Sequence, residues 1–134
     1  MPTAKQIDKR IGELRGLLRL DHWYVNAHLL PRWKSLPNNP ERLGEVFYLD
    51  NDTYAFLNLA AARPDEDLDF TLCHEMAHVR LRELGVLVDA LFDGMPESPE
   101  RYALKTQWES ATERACDGIA NALTKKAHNA LGVR

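Results

Sequence analysis

The chain reads as one α+β domain spanning residues 1–134, and three observations carry that reading. Apolar residues recur at helical spacing near the N-terminus and again from about Leu68 onward. Between those segments lie three short runs rich in β-formers, in which apolar and polar residues alternate as on a half-buried strand. In composition, 45% of residues are hydrophobic and 28% charged, so a core of ordinary size can form without disulfides.

The first element is a helix. Thr3 with Gln6 three positions later is a capping box, and Ile7, Ile11, Leu14 and Leu18 keep helical period behind it. From Asp21 the period changes. Trp23, Val25 and Ala27 alternate with His22, Tyr24, Asn26 and His28, which predicts a strand with one buried face. Pro31 to Arg42 is a loop, punctuated by Pro31, Pro37, Asn38, Asn39 and Pro40. The runs GEVFYL and TYAFLNLA follow, joined by Asp50, Asn51 and Asp52, and this predicts a hairpin.

Pro64 and the acidic residues Asp65, Glu66, Asp67 and Asp69 then suit the first turn of a helix. Leu68, Leu72, Met76 and Val79 make one apolar ridge of it, and Phe70, Cys73, Ala77 and Leu81 another. A helix apolar on two sides is mostly buried. Gly85 is the expected end of this helix, with Val86 to Phe92 a separate short one before the turn GMPESPE. Ser98 followed by Pro99 starts the last helix, on which Leu104, Trp108, Ala111, Ala115, Ile119 and Ala122 keep the period.

Composition also excludes. A formal charge of −3 gives no basic face for phosphate neutralisation, so no nucleic-acid partner is expected. Leu14 to Leu20 is interrupted by Arg15, Gly16 and Arg19 and is no signal-peptide core, and no membrane partner is expected. Two cysteines, Cys73 and Cys116, do not make a disulfide framework; free buried thiols in a cytoplasmic protein are the expectation.

The stretch LCHEMAHVRL carries the chemistry. Residues i and i+4 of a helix lie one above the other, so His74 and His78 can offer two imidazoles to one zinc ion. Glu75 then stands beside the metal, where it can take a proton from water. The competing reading is a solvated stripe on a partly exposed helix. Against it, polar groups in so apolar a helix are costly unless something satisfies them. A third histidine six positions after His78 would mark another zinc pattern, but that position holds Leu84, and Leu81 stands where its glycine belongs. The third ligand is therefore sought on the last helix, in WESATERACD. There Glu113 can bind zinc while Asp117, four positions on, orients a histidine ligand from behind. Glu109, one turn earlier, is the alternative ligand, and a surface carboxylate paired with Lys105 or Arg114 is the bland reading of either. Asp117 favours Glu113. So do Ala115, Gly118 and Ala120, whose small size lets that turn approach closely, whereas Trp108 and Lys105 hold the chain around Glu109 away.

HEMAH followed by ERACDGIANAL resembles the gluzincin arrangement of ImmA/IrrE-type metallopeptidases and of small zincin-like proteins of phages and their bacterial hosts. Thr71, Leu72, Met76, Ala77 and Val79 fit the longer pattern, while Arg80 stands where a hydrophobic residue is usual. The likeness spans roughly Asp21 to Leu123. It implies a minimal zincin-like domain: N-terminal helix, small three-stranded sheet, HExxH helix and C-terminal ligand helix. It further implies Zn2+ held by His74, His78 and Glu113, with Glu75 as general base in a selective, cytoplasmic peptidase. A peptide or protein substrate would pair with an edge strand, for which Thr53 to Ala60 is the candidate. Tyr48, Tyr54, Tyr102 or His128 could stabilise the oxyanion, and nothing in the sequence chooses among them. The rival expectation is a catalytically inactive interaction module on the same scaffold, meeting its partner through a surface such as Val86 to Phe92. A DNA-binding regulator lacks both a basic stripe and a second domain.

Overall fold

The computed structural model describes residues 3–30, 44–49, 53–60 and 65–124. Its elements are α1 (Ala4–Leu17), β1 (Tyr24–Leu30), β2 (Gly44–Leu49), β3 (Tyr54–Ala60), α2 (Asp65–Asp93) and α3 (Pro99–Leu123). This is an α+β arrangement of three helices and one mixed sheet. The predicted loop Pro31–Arg42, the turn Asp50–Asp52, Pro64 and His128 lie outside the described residues.

Helix α1 starts as its sequence demands. Thr3 Oγ1 accepts from the Gln6 backbone N–H at 3.1 Å, and Gln6 Oε1 accepts from the Thr3 N–H at 2.8 Å. Ile7, Ile11 and Leu14 are its buried face. Arg19 adopts a left-handed φ of 58° just past the helix, which turns the chain so that Leu20 and Trp23 drop into the core.

The sheet order is β1-β3-β2, with β1 parallel and β2 antiparallel to β3. Ala55, Leu57 and Leu59 of β3 are fully buried, and Val25, Ala27, Val46 and Tyr48 pack beside them on the same face. The predicted hairpin is present, but the expected edge strand is not one. Tyr54–Ala60 is the central strand, paired on one side with β1 and on the other with β2, so its main-chain groups are already engaged. The alternating pattern placed the strand's face correctly, and pattern alone carries no information on which strand ends in the middle. Among the described strands, β2 is the edge beside α2.

Helix α2 differs from expectation at Gly85, which lies inside one continuous helix. Helical glycine costs roughly 1 kcal/mol relative to alanine, and packing along α3 outweighs it. The helix ends instead at Gly94, whose N–H donates to the Ala90 carbonyl. Its first half is buried on the predicted ridges, Leu68, Leu72, Met76 and Val79 above all. In its second half Phe92 is buried, whereas Leu84, Leu87 and Leu91 are exposed.

Helix α3 returns antiparallel along α2. Ser98 caps it, accepting from the Arg101 N–H, with Pro99 in the first turn. The face turned inward coincides with the predicted one only at Trp108 and Ile119. Cys116 and Ala120 are buried, and Trp108, Thr112 and Ile119 are partly so. Leu104, Ala111, Ala115, Gly118 and Ala122 are exposed. Close approach therefore rests on Cys116 and Ala120, not on Ala115 and Gly118. A pattern built largely of alanines defines a helix period without defining which side is dry.

One arginine joins all three helices. Arg10 on α1 grips Asp69 at the start of α2 through two hydrogen bonds, Nε to Oδ1 at 2.8 Å and Nη2 to Oδ2 at 3.2 Å. The same Nη2 donates to the Leu123 carbonyl at the end of α3, at 2.8 Å. Burial by itself would disfavour the charge, but the Asp69 carboxylate outweighs it and holds the guanidinium firmly protonated. A cation also complements the negative end of α3. Arg10→Ala should lower stability by about 2–3 kcal/mol, since charge-assisted bonds are lost and Asp69 keeps no partner. Urea unfolding at neutral pH measures it, as a lower midpoint with unchanged slope.

Candidate metal centre

The motif helix presents its polar residues on two sides. His74 and His78, one turn apart, face α3, and their Nε2 atoms lie 3.1 Å from each other. Glu113 reaches across from α3 and offers an oxygen to each. Oε2 is 3.1 Å from His74 Nε2, and Oε1 is 3.0 Å from His78 Nε2. Among the described residues, these three bring their donor atoms within 4.8 Å of one another. Asp117, one turn beyond Glu113, accepts from His74 Nδ1 at 2.8 Å. That bond fixes the ring's tautomer, with the proton on Nδ1 and the Nε2 lone pair turned to the centre.

Chemistry and spacing suit a cation. Two imidazoles and a carboxylate are a zinc donor set. Ligands at zinc bond lengths stand roughly 3.3 Å apart around a tetrahedron. The two imidazole nitrogens, 3.1 Å apart, fall near that value, and each has a Glu113 oxygen at 3.0–3.1 Å, so the three side chains could converge on one ion. With His74 Nδ1–H committed to Asp117, a neutral His74 offers Nε2 only as an acceptor, facing both His78 Nε2 and a carboxylate. One divalent ion satisfies all of them together.

Glu75 points elsewhere, towards β2, and is 6% exposed. It is not among the converging donors. A groove runs along α2 past these residues, walled by β2 on one side and α3 on the other. At one end it is lined by Phe70, Thr71 and Asp117, at the other by Tyr48, Arg82 and Trp108, with Glu75, His78 and Glu113 common to both. The Arg82 guanidinium lies over the Tyr48 ring, 4.3 Å from its centroid, and stiffens that wall.

Of the other residues singled out in the sequence, Glu109 is exposed on α3 and not part of the cluster. Tyr48 lines the groove, Tyr102 is exposed on α3, and Tyr54 bonds Asn26 on the outer face of the sheet. His22 pairs with Glu83 at the surface, and His28 is exposed. Cys73 and Cys116 are free and buried. Burial first, then the charge of Asp69, pushes the Cys73 thiol up to about 11, partly opposed by Arg10. Burial, then Glu113, Glu75 and Asp117, pushes Cys116 up to about 12. Two residues escaped the sequence reading. Arg10 carries no signal, being one arginine on an amphipathic helix. Gly44 could have been noticed, because glycine opening a strand often marks a close backbone approach.

Comparison with protein-family models, curated proteins and solved structures finds no match to this chain.

Three results are expected. Zinc should bind at about one per chain and be lost in the His74→Ala, His78→Ala double variant. Glu113→Ala should weaken zinc far more than Glu109→Ala, with Asp117→Ala intermediate at roughly ten- to a hundredfold. Competition against a chromogenic chelator ranks them, and a larger loss from Glu109→Ala would move the ligand one turn back. Both thiols should resist aromatic disulfide reagents up to about pH 9 in the folded protein, since thiolate forms only near the raised values, and react on unfolding.

Proposed function

We propose that this chain is a zinc-dependent metallopeptidase of zincin-like design, in which His74, His78 and Glu113 hold the metal and Glu75 is the general base. The observation that carries the reading is the convergence of three donor atoms from two helices, with a buried carboxylate on the adjoining position of the motif. A bound zinc ion would polarise the scissile carbonyl and make water acidic enough to lose a proton at neutral pH. Glu75 accepts that proton on its carboxylate and delivers it to the leaving amine nitrogen, so one residue serves as base and then as acid. Asp117 keeps the His74 ring in its donor orientation throughout. Tyr48, of the three described candidates, is the one on the groove wall and is assigned to steady the carbonyl oxygen. The strand assigned to substrate is β2 rather than β3. Gly44–Leu49 lies at the edge of the described sheet and lines the groove, so an extended peptide can add to it by main-chain pairing. A cytoplasmic, selective role fits the small scaffold. Among the described residues, no helix is long and apolar enough to cross a membrane.

A second reading, a catalytically inactive interaction module, draws on the exposed Leu84, Leu87 and Leu91, which follow the motif on the same helix. A Glu75-dependent cleavage product separates the two. Glu75→Gln preserves size and removes the proton acceptor. It should retain zinc while peptide hydrolysis falls by roughly a hundred- to ten-thousandfold, judged by a peptide-library digest with the zinc-loaded protein. Unchanged cleavage by that variant would exclude Glu75 as the base.

A further inference from the structure

Gly44 opens β2 close against the motif helix. A methyl group added there would lie 2.7 Å from Thr71 Cγ2, 3.1 Å from Glu75 Cγ and 3.2 Å from Glu75 Oε1. Carbon atoms in contact prefer roughly 3.5–4.0 Å, so the first distance requires something to move. Little can. Gly44, Thr71 and Glu75 are all buried, and Thr71 is β-branched on a helix, where its χ1 is restricted. Thr71 and Glu75 are one turn apart, so both stand on the side of α2 that meets β2. The glycine is not there for its backbone freedom, because no described glycine has a positive φ. Space alone explains it.

We propose that Gly44 is a positioning residue for Glu75. Its bare backbone leaves room for the carboxylate on the β2 side of α2, in the lining it shares with His78 and Glu113, where a side chain would press on it. This rests on the reading of Glu75 as general base, and it makes the identity of residue 44 part of the site although the residue has no functional group.

The test is a cycle of Gly44→Ala, Thr71→Ser and the double variant, with Glu75→Gln as reference, all as zinc-loaded full chains. Serine keeps the Thr71 hydroxyl and removes the Cγ2 methyl that the new Cβ would meet. Three quantities are read: zinc affinity by chelator competition, acetohydroxamate affinity, and kcat and KM for a cleaved peptide. Acetohydroxamate reports on Glu75 without turnover, since its hydroxyl proton needs a carboxylate acceptor as it ligates the metal. Gly44→Ala should leave zinc affinity nearly unchanged and weaken acetohydroxamate about tenfold, the value of one charge-assisted bond. It should lower kcat, by roughly ten- to a hundredfold, at similar KM, because the rate depends steeply on the placement of the base. Adding Thr71→Ser should recover most of both losses. Unchanged acetohydroxamate binding in Gly44→Ala, or a loss that Thr71→Ser does not relieve, overturns the proposal. If Gly44→Ala does not fold, the double variant is compared with Thr71→Ser alone, and near-equality supports the proposal while a loss as deep as that of Glu75→Gln overturns it. If the wild-type chain cleaves no peptide, the peptidase reading fails, and acetohydroxamate binding still decides the role of Gly44.

Discussion

Glu113 and Asp117 meet the two histidines only because α3 lies antiparallel on α2 in one axial register, and the rest of the site depends on that register. A slide of one helical turn is about 5.4 Å, enough to replace Glu113 by Glu109 and to leave His74 without Asp117. Several contacts fix it. Cys116 and Ala120 are buried and small, so the helices approach closely beside the cluster. At the far end Arg101 Nε donates to the Phe92 carbonyl at 2.8 Å. At the near end Arg10 binds Asp69 of α2 and the last carbonyl of α3 with one guanidinium.

That arrangement divides the motif helix by face. The side turned to α3 carries the histidines. The side turned to the sheet carries Thr71 and Glu75, against the bare backbone of Gly44. The buried ridges of Leu72, Met76 and Val79 hold the helix on the sheet, so its two polar sides cannot rotate out of place. Fold and site are thus one packing problem. The core sets the helix rotation, the Arg10 grip sets the slide, and the absent side chain at position 44 leaves room for Thr71 and Glu75 beside β2.

Much of this was legible in the sequence because it rests on local rules. The Thr3 capping box, the Ser98–Pro99 start, the alternation in the strands and the i, i+4 histidines each follow from neighbouring residues. Glu113 and Asp117 were legible as a pair because one helical turn places both on the same side. What was not legible depended on distant partners. Gly85 looked like a helix end because the support of α3 is invisible locally, while Gly94, past the α3 contact, does end the helix. The strand Tyr54–Ala60 was expected at an edge from the family likeness alone, yet β1 pairs with it in parallel and makes it central, a pairing that the alternation does not reveal. Arg10 gave no sign of its reach, since its partners are Asp69 and Leu123, both far along the chain.

The central claim is that two histidines and one glutamate, with no thiolate, form the donor set. X-ray absorption at the zinc edge of the stoichiometrically loaded protein tests it directly, because sulfur and light-atom ligands scatter at different distances. The predicted spectrum contains nitrogen and oxygen neighbours at about 2.0–2.1 Å, with imidazole outer-shell features. A sulfur neighbour at about 2.3 Å would contradict it by bringing Cys73 or Cys116 into the centre, as would a spectrum unchanged in Glu113→Ala.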